Sequence, residues 1–262
     1  MVDFLSTKSG CSIYPLIESV ADQFQSENQR QFFRRVWANG TENYKSRLHA
    51  LGFQGLNNVL DAGSGFGQWS FALAELNENV CGLELDLDRV RACCNIAEII
   101  QCKNINFLTG SVESGPFDDG MFDGLFSYSV IYLTDYRKTL LEFYRLLKPG
   151  GLLYFSTNGI GWYLYNLIET HNDSSDYSSR KMAADTIKNS IDYYATGRGS
   201  IGSSTIMNSN IVSGELEEIG FDVLEIGPEG SINNKIHNVT PFYPATNYGY
   251  ENVWEVLCRK KI

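Results

Sequence analysis

The stretch VLDAGSGFG, residues 59–67, decides how the chain is read. Val59 and Leu60 supply a short apolar strand, Asp61 stands near its carboxyl end, and Gly63, Gly65 and Gly67 follow at alternate positions. Glycines so spaced let the backbone turn tightly and let a ligand approach it closely. A helix is expected from Gln68 to about Asn77. Its free N–H groups and positive dipole end suit an anionic group, such as the carboxylate of an amino-acid cofactor.

A glycine loop gains meaning from what lies one βαβ unit further on. A second strand, residues 79–85, places Glu84 at its end, 21 residues beyond Gly63. A carboxylate there can accept both hydroxyls of a ribose. The glycines fall as G-x-G-x-G, and Gln68 stands where a dinucleotide fingerprint has its third glycine. Asp61 would repel a pyrophosphate but suits the ammonium and sulfonium of S-adenosylmethionine. These residues favour S-adenosylmethionine over a nicotinamide cofactor.

With 262 residues the chain suits one elaborated α/β domain, or one domain plus a small cap. A net charge of −10 disfavours nucleic acid, whose phosphates need a basic face. Arg30, Arg34 and Arg35 read as a solvated helix face. The six cysteines lack the paired spacing of a zinc site, so no metal is expected. No basic start precedes an apolar run, and no run of 18 apolar residues occurs, so a soluble cytoplasmic protein without a membrane partner is expected.

Four regions are expected. Residues 1–55 carry apolar residues at helical spacing and form a helical extension. It packs on the sheet, or it covers the cofactor with Tyr14, Trp37 or Tyr44. Residues 56–157 alternate strands and helices, the pattern of a Rossmann-like parallel sheet with helices on both faces. Within them a helix over residues 135–151 is expected to end at Pro149, Gly150 and Gly151. Residues 158–220 form a helical insertion after the fifth strand, and residues 221–262 return as the last two strands, the final one over residues 251–260. The connection over residues 228–250 is long enough to suggest a role in binding.

Three blocks in order resemble the class I S-adenosylmethionine-dependent methyltransferases: VLDAGSGFG, VCGLELD, and the segment MFDGLFSYSVIYLTDYRKTLLEFYRLLKPGGLLYFS. The resemblance implies a seven-stranded, mostly parallel sheet whose last strand runs antiparallel between the fifth and sixth. It implies that Asp61, Gly63 and Gly65, in a loop with Ala62 and Ser64, hold the methionine end of the cofactor. Glu84 would hold the ribose and Leu85 pack on the adenine. The acidic residue that often bonds the adenine amino group is replaced here by Ser111, followed by Val112 and Glu113, and the choice among the three stays open. Ser127 and Tyr128 would lie beside the transferable methyl group.

Candidates for a general base are Tyr132, shortly after the fourth strand, His171 in the insertion and His237 in the final connection. His49 reads as structural. Trp162, Tyr163, Tyr165, Tyr193 and Tyr194 make the insertion aromatic, as walls of an acceptor pocket or as the core of a cap. Phe242 and Tyr243, between Pro241 and Pro244, could close the same pocket. The expectation is a methyltransferase acting on oxygen or nitrogen of a small-molecule acceptor, aromatic or apolar, with the oligomeric state open. The alternatives are a noncatalytic S-adenosylmethionine-binding module and a nicotinamide oxidoreductase.

Overall fold

The structure, a computed structural model, describes residues 14–197, 204–233 and 239–262. Its frame is a seven-stranded sheet in the order β3-β2-β1-β4-β5-β9-β6. The strands are β1 Asn58–Ala62, β2 Asn79–Glu84, β3 Ile105–Thr109, β4 Phe122–Tyr128, β5 Leu147–Asn158, β6 Phe221–Pro228 and β9 Val253–Lys260. Strands β1 to β5 pair in parallel, while β9 runs antiparallel to both β5 and β6. Two short strands, β7 Thr246–Asn247 and β8 Tyr250–Glu251, form a separate hairpin. The final strand therefore begins at Val253 instead of Glu251, because Glu251 pairs within that hairpin.

Nine helices are described. They are α1 Tyr14–Ala21, α2 Glu27–Trp37, α3 Glu42–Leu51, α4 Gln68–Leu76, α5 Leu87–Ile99, α6 Tyr136–Leu146, α7 Ile160–Ile168, α8 Ser179–Thr196 and α9 Ser209–Ile219. One face of the sheet packs against α1 to α5 through Phe33, Trp37, Phe66, Trp69, Phe71 and Phe126. The other packs against α6, α8 and α9 through Leu140, Phe143, Tyr193, Leu216 and Trp254. Phe33 and Trp37 of α2 are thus core, while Phe32 is exposed, and Trp37 also donates its indole N–H to the Phe66 carbonyl at 3.1 Å.

Helix α6 ends earlier than the sequence suggests. Its last residue is Leu146, and the leucine-lysine-proline-glycine-glycine segment opens β5. Phe122 of β4 pairs with Leu147, then the register jumps so that Gly124 pairs with Leu152. The excess residues form a bulge, with Gly150 at φ +78°. A Cβ on Gly151 would stand 2.8 Å from the Lys148 carbonyl, so the bulge itself requires glycine there.

Candidate functional site

The glycine loop joins β1 to α4 at the carboxyl end of the sheet. Gly63, Gly65 and Gly67 all have positive φ, at +81°, +55° and +82°. They differ in what surrounds them. A Cβ on Gly63 would collide with Val130, and one on Gly67 would stand 2.9 Å from the Cys93 sulfur. A Cβ on Gly65 would meet nothing within 4 Å. Gly63 and Gly67 are needed for packing, whereas Gly65 faces open space that a ligand can fill.

Asp61 pairs with Gly82 across β1 and β2, and the pleat puts Gly82 and Glu84 on one face. The two carboxylates therefore stand on neighbouring parallel strands at one end of the sheet. Glu84 accepts from the Gly65 N–H at 2.9 Å and from the Asp86 N–H at 3.0 Å. Arg89 approaches it no closer than 3.9 Å. Asp61 is buried and accepts from the Ser70 hydroxyl. Burial, outweighing that bond and reinforced by the charge of Glu84, pushes the Asp61 carboxyl up to about 7.

The donor set is telling. The N–H groups of Gly63 and Ser64 are both taken by the Leu83 carbonyl, at 2.8 and 3.0 Å, and that of Gly65 by Glu84. A pyrophosphate would find these amides spent and two carboxylates in its way. A ligand with its own donors and positive charge meets acceptors instead: Asp61, Glu84, and the Gln68 side-chain oxygen, which is buried without a partner. S-adenosylmethionine, with an ammonium, a sulfonium and ribose hydroxyls, fits this chemistry.

Around this cradle the other positions fall as follows. Leu85 is 74% exposed and forms an open apolar shelf beside Glu84. Gly110 donates to the Glu84 carbonyl at 2.9 Å, which brings the turn after β3 alongside. In that turn Glu113 accepts from the Asp135 N–H at 2.9 Å, and Val112 is buried in the core. Ser111 is left half-exposed, its hydroxyl accepting from the Glu113 N–H at 3.2 Å. Ser127 is sealed, and its hydroxyl donates to the Ala62 carbonyl at 2.9 Å, tying β4 to β1. Tyr128 packs its ring on Trp69, 4.8 Å away, and donates its hydroxyl to Glu229 at 2.9 Å.

Tyr132 lies in a short 3-10 turn, Ile131–Leu133, after β4. Its hydroxyl lies towards the side chain of Asn158, the last residue of β5, and burial pushes it well above the usual phenol range. Tyr163 of α7 is fully buried and turns towards the same Asn158 without a well-formed hydrogen bond. Trp162 meets Tyr243 edge-on at 5.4 Å. Tyr193 instead packs on Tyr136 in the sheet core, so the aromatic residues of the insertion divide between the site and the core. His171 stands exposed near Glu169 and Tyr165. His237 lies outside the described residues. A surface cavity lined by Gly52, Leu56, Asp123, Lys148 and Arg259 lies at the opposite end of the strands, away from the glycine loop.

Sequence reasoning missed Gln68 as an acceptor, along with Asn158 and Glu229. Gln68 carried a signal, since it is the first residue of the helix that follows the loop. Asn158 and Glu229 carried none, because their partners are distant in sequence.

Comparison with known proteins bears on the domain and the fold. Residues 60–155 match a family model described as a methyltransferase domain. An arsenite methyltransferase of Aquipseudomonas alcaligenes is 40% identical over 110 residues, 37% of this chain and 32% of that protein. A demethylmenaquinone methyltransferase of Bacillus cereus is 26% identical over 145 residues, 53% of this chain and 59% of that protein. The match thus spans about a third of one relative and about three-fifths of the other. A solved S-adenosylmethionine-dependent methyltransferase of Aquifex aeolicus shares the fold with a TM-score of 0.54 at 14% identity, over 92% of this chain and 97% of that one. Residues 60–155 are thus similar to a methyltransferase domain, and the chain shares its fold with S-adenosylmethionine-dependent methyltransferases.

Proposed function

We propose that the protein binds S-adenosylmethionine in the cradle of Asp61, Gly63, Gly65, Gln68 and Glu84 and transfers its methyl group to oxygen or nitrogen of a small-molecule acceptor. The observation that carries this reading is the meeting of two carboxylates from adjacent strands around a loop whose central glycine faces open space. When bound, the sulfonium supplies an electrophilic methyl group whose bonding pair returns to sulfur as the acceptor bond forms. The protein orients the partners and keeps water out. Glu84 would hold the ribose hydroxyls, Leu85 flank the adenine and Ser111 bond its edge. Asp61 and Gln68 would receive the ammonium.

The acceptor site proposed here lies over the carboxyl ends of β4 and β5, beside α7 of the insertion. Tyr132, Trp162, Tyr163 and Tyr243 supply rings, and Asn158 supplies an uncharged hydrogen-bonding group. Such walls suit a neutral, ring-bearing molecule with a polar substituent. Residues 14–55 would cover the cofactor side. There the Gln29 amide donates to Asp86 at 3.3 Å, and the Ser26 hydroxyl donates to Asp176 of the insertion at 2.6 Å.

Calorimetry with S-adenosylhomocysteine, followed by its production from S-adenosylmethionine with phenols, amines and carboxylic acids, tests the reading. Binding with no turnover across a broad panel would favour a noncatalytic module. Nicotinamide binding in place of S-adenosylhomocysteine would overturn the proposal.

A further inference from the structure

A second pair of carboxylates is buried away from the glycine loop. Glu229, just past β6, and Glu255, on β9, are both sealed from solvent, and Arg47 of α3 reaches between them. Arg47 donates to Glu229 Oε1 through Nη1 and to Glu255 Oε2 through Nη2, the latter at 2.6 Å. The Tyr154 hydroxyl donates to Glu255 at 2.8 Å, and the Ile232 N–H donates to it at 3.0 Å. Glu229 accepts the Tyr128 hydroxyl on Oε1 and the Phe242 N–H on Oε2, both at 2.9 Å. The charged and titratable groups facing Glu229 are thus Arg47, Tyr128, Tyr154, Tyr243 and Glu255.

One guanidinium serves two carboxylates, so in their ordinary ionised states the cluster holds surplus negative charge. Burying unmatched charge is costly, and it pushes the Glu255 carboxyl up. Uptake of one proton would balance the cluster. Tyr128 is its link to the proposed acceptor site, since its ring meets Phe242 edge-on at 6.3 Å, and the next residue, Tyr243, meets Trp162 of that site at 5.4 Å. The Tyr163 hydroxyl, fully buried towards Asn158 without a well-formed hydrogen bond, is a polar group that a ligand could satisfy.

We propose that Tyr128 and Glu229 form a proton relay that removes the proton of a hydroxyl acceptor, which makes the acceptor a phenol or an enol and not an amine. This rests on the methyl-transfer reading above. The acceptor O–H gives its proton to Tyr128 Oη while Tyr128 passes its own phenolic proton to Glu229 Oε1. The lone pair so freed on the acceptor oxygen forms the bond to the methyl carbon, and the carbon–sulfur pair stays with sulfur. Tyr128 ends as a neutral phenol and Glu229 as a neutral acid, leaving Arg47 matched by Glu255. An amine needs only to be unprotonated before attack and has no use for this sink.

The probe is 4-nitrophenol, whose absorbance reports its ionisation, titrated with pH in the presence of S-adenosylhomocysteine. In the wild-type protein its midpoint should fall by about one pH unit relative to the free compound. Glu229→Gln, which keeps the side chain's shape, and Tyr128→Phe, which removes one hydroxyl, should each abolish that shift. Melting curves report whether either variant folds, and one folded variant suffices. In turnover, the variants should lose at least about tenfold more rate with weakly acidic phenols than with 4-nitrophenol. A shift retained in a folded variant, or an equal rate loss across phenols, overturns the relay. If the wild-type protein binds S-adenosylhomocysteine but leaves the probe unshifted, the relay fails and the methyl-transfer reading stands. Failure to bind S-adenosylhomocysteine removes both.

Discussion

The molecule buries two pairs of carboxylates and treats them oppositely. Asp61 and Glu84 sit at the mouth of the glycine loop with backbone amides and one serine for company, and their nearest cation, Arg89, stays 3.9 Å away. Glu229 and Glu255 are clasped by Arg47 and closed over by two tyrosines. The first pair is incomplete without a ligand that brings donors and positive charge. The second has one cation built in for two carboxylates, and it ties together α3, β4, β5, β9 and the segment around Phe242.

The sharpest way to break this contrast is Arg47→Met. Removing one partner of a buried ion cluster leaves the others uncompensated, so we expect a loss of about 3 to 5 kcal/mol in denaturant unfolding. Glu84→Ala should act on binding instead. Loss of charge-assisted bonds to the ribose should weaken S-adenosylhomocysteine by about 1 to 3 kcal/mol in calorimetry.

The third expectation concerns pH. The Asp61 carboxyl lies at about 7 in the ligand-free protein, and a cationic group binds its ionised form. Cofactor affinity should therefore rise with pH, by up to about tenfold per unit, and level off above about 7. The sign for folding is opposite. A carboxyl raised from 3.8 favours the native state most at low pH, and that contribution is lost as pH climbs through about 7. Asp61→Asn should flatten both dependences. The smallest effect belongs to Arg89→Ala, which should change stability by no more than about 0.5 kcal/mol, because that pair is long and partly exposed. A larger loss that Arg89→Lys restores would mean that the cradle carries its own counter-charge, and one that it does not restore would report the stacking of Arg89 on the Phe66 ring, 4.8 Å away.

The contrast also explains what could be read from sequence. The first pair depends on short-range geometry: a strand, a turn of glycines and a second strand one βαβ unit away. Asp61 and Glu84 could be placed for that reason, whereas the antiparallel last strand between the fifth and sixth followed from the family resemblance and not from local pattern. Arg47 lies 182 residues from Glu229 and 208 from Glu255, and no local pattern in α3 sets it apart. Attention fell instead on Arg30, Arg34 and Arg35, of which Arg30 and Arg34 pair with nearby acids of the helical extension. The bulge at the start of β5 was misread as a helix end for a related reason. Proline and two glycines signal a break, but pairing to β4 decides whether the residues before the break are helix or strand.

The antiparallel strand has a consequence for how the chain is made. β6 pairs with β9 alone, and β5 leaves one edge bare until β9 slots between them. A ribosome delivers residues 253–260 after everything they must join, so a nascent chain carries a bare β5 edge from residue 158 and an unpaired β6 from residue 228 until β9 emerges. Chains that stall before that point would be clients for chaperones, since open edges recruit one another.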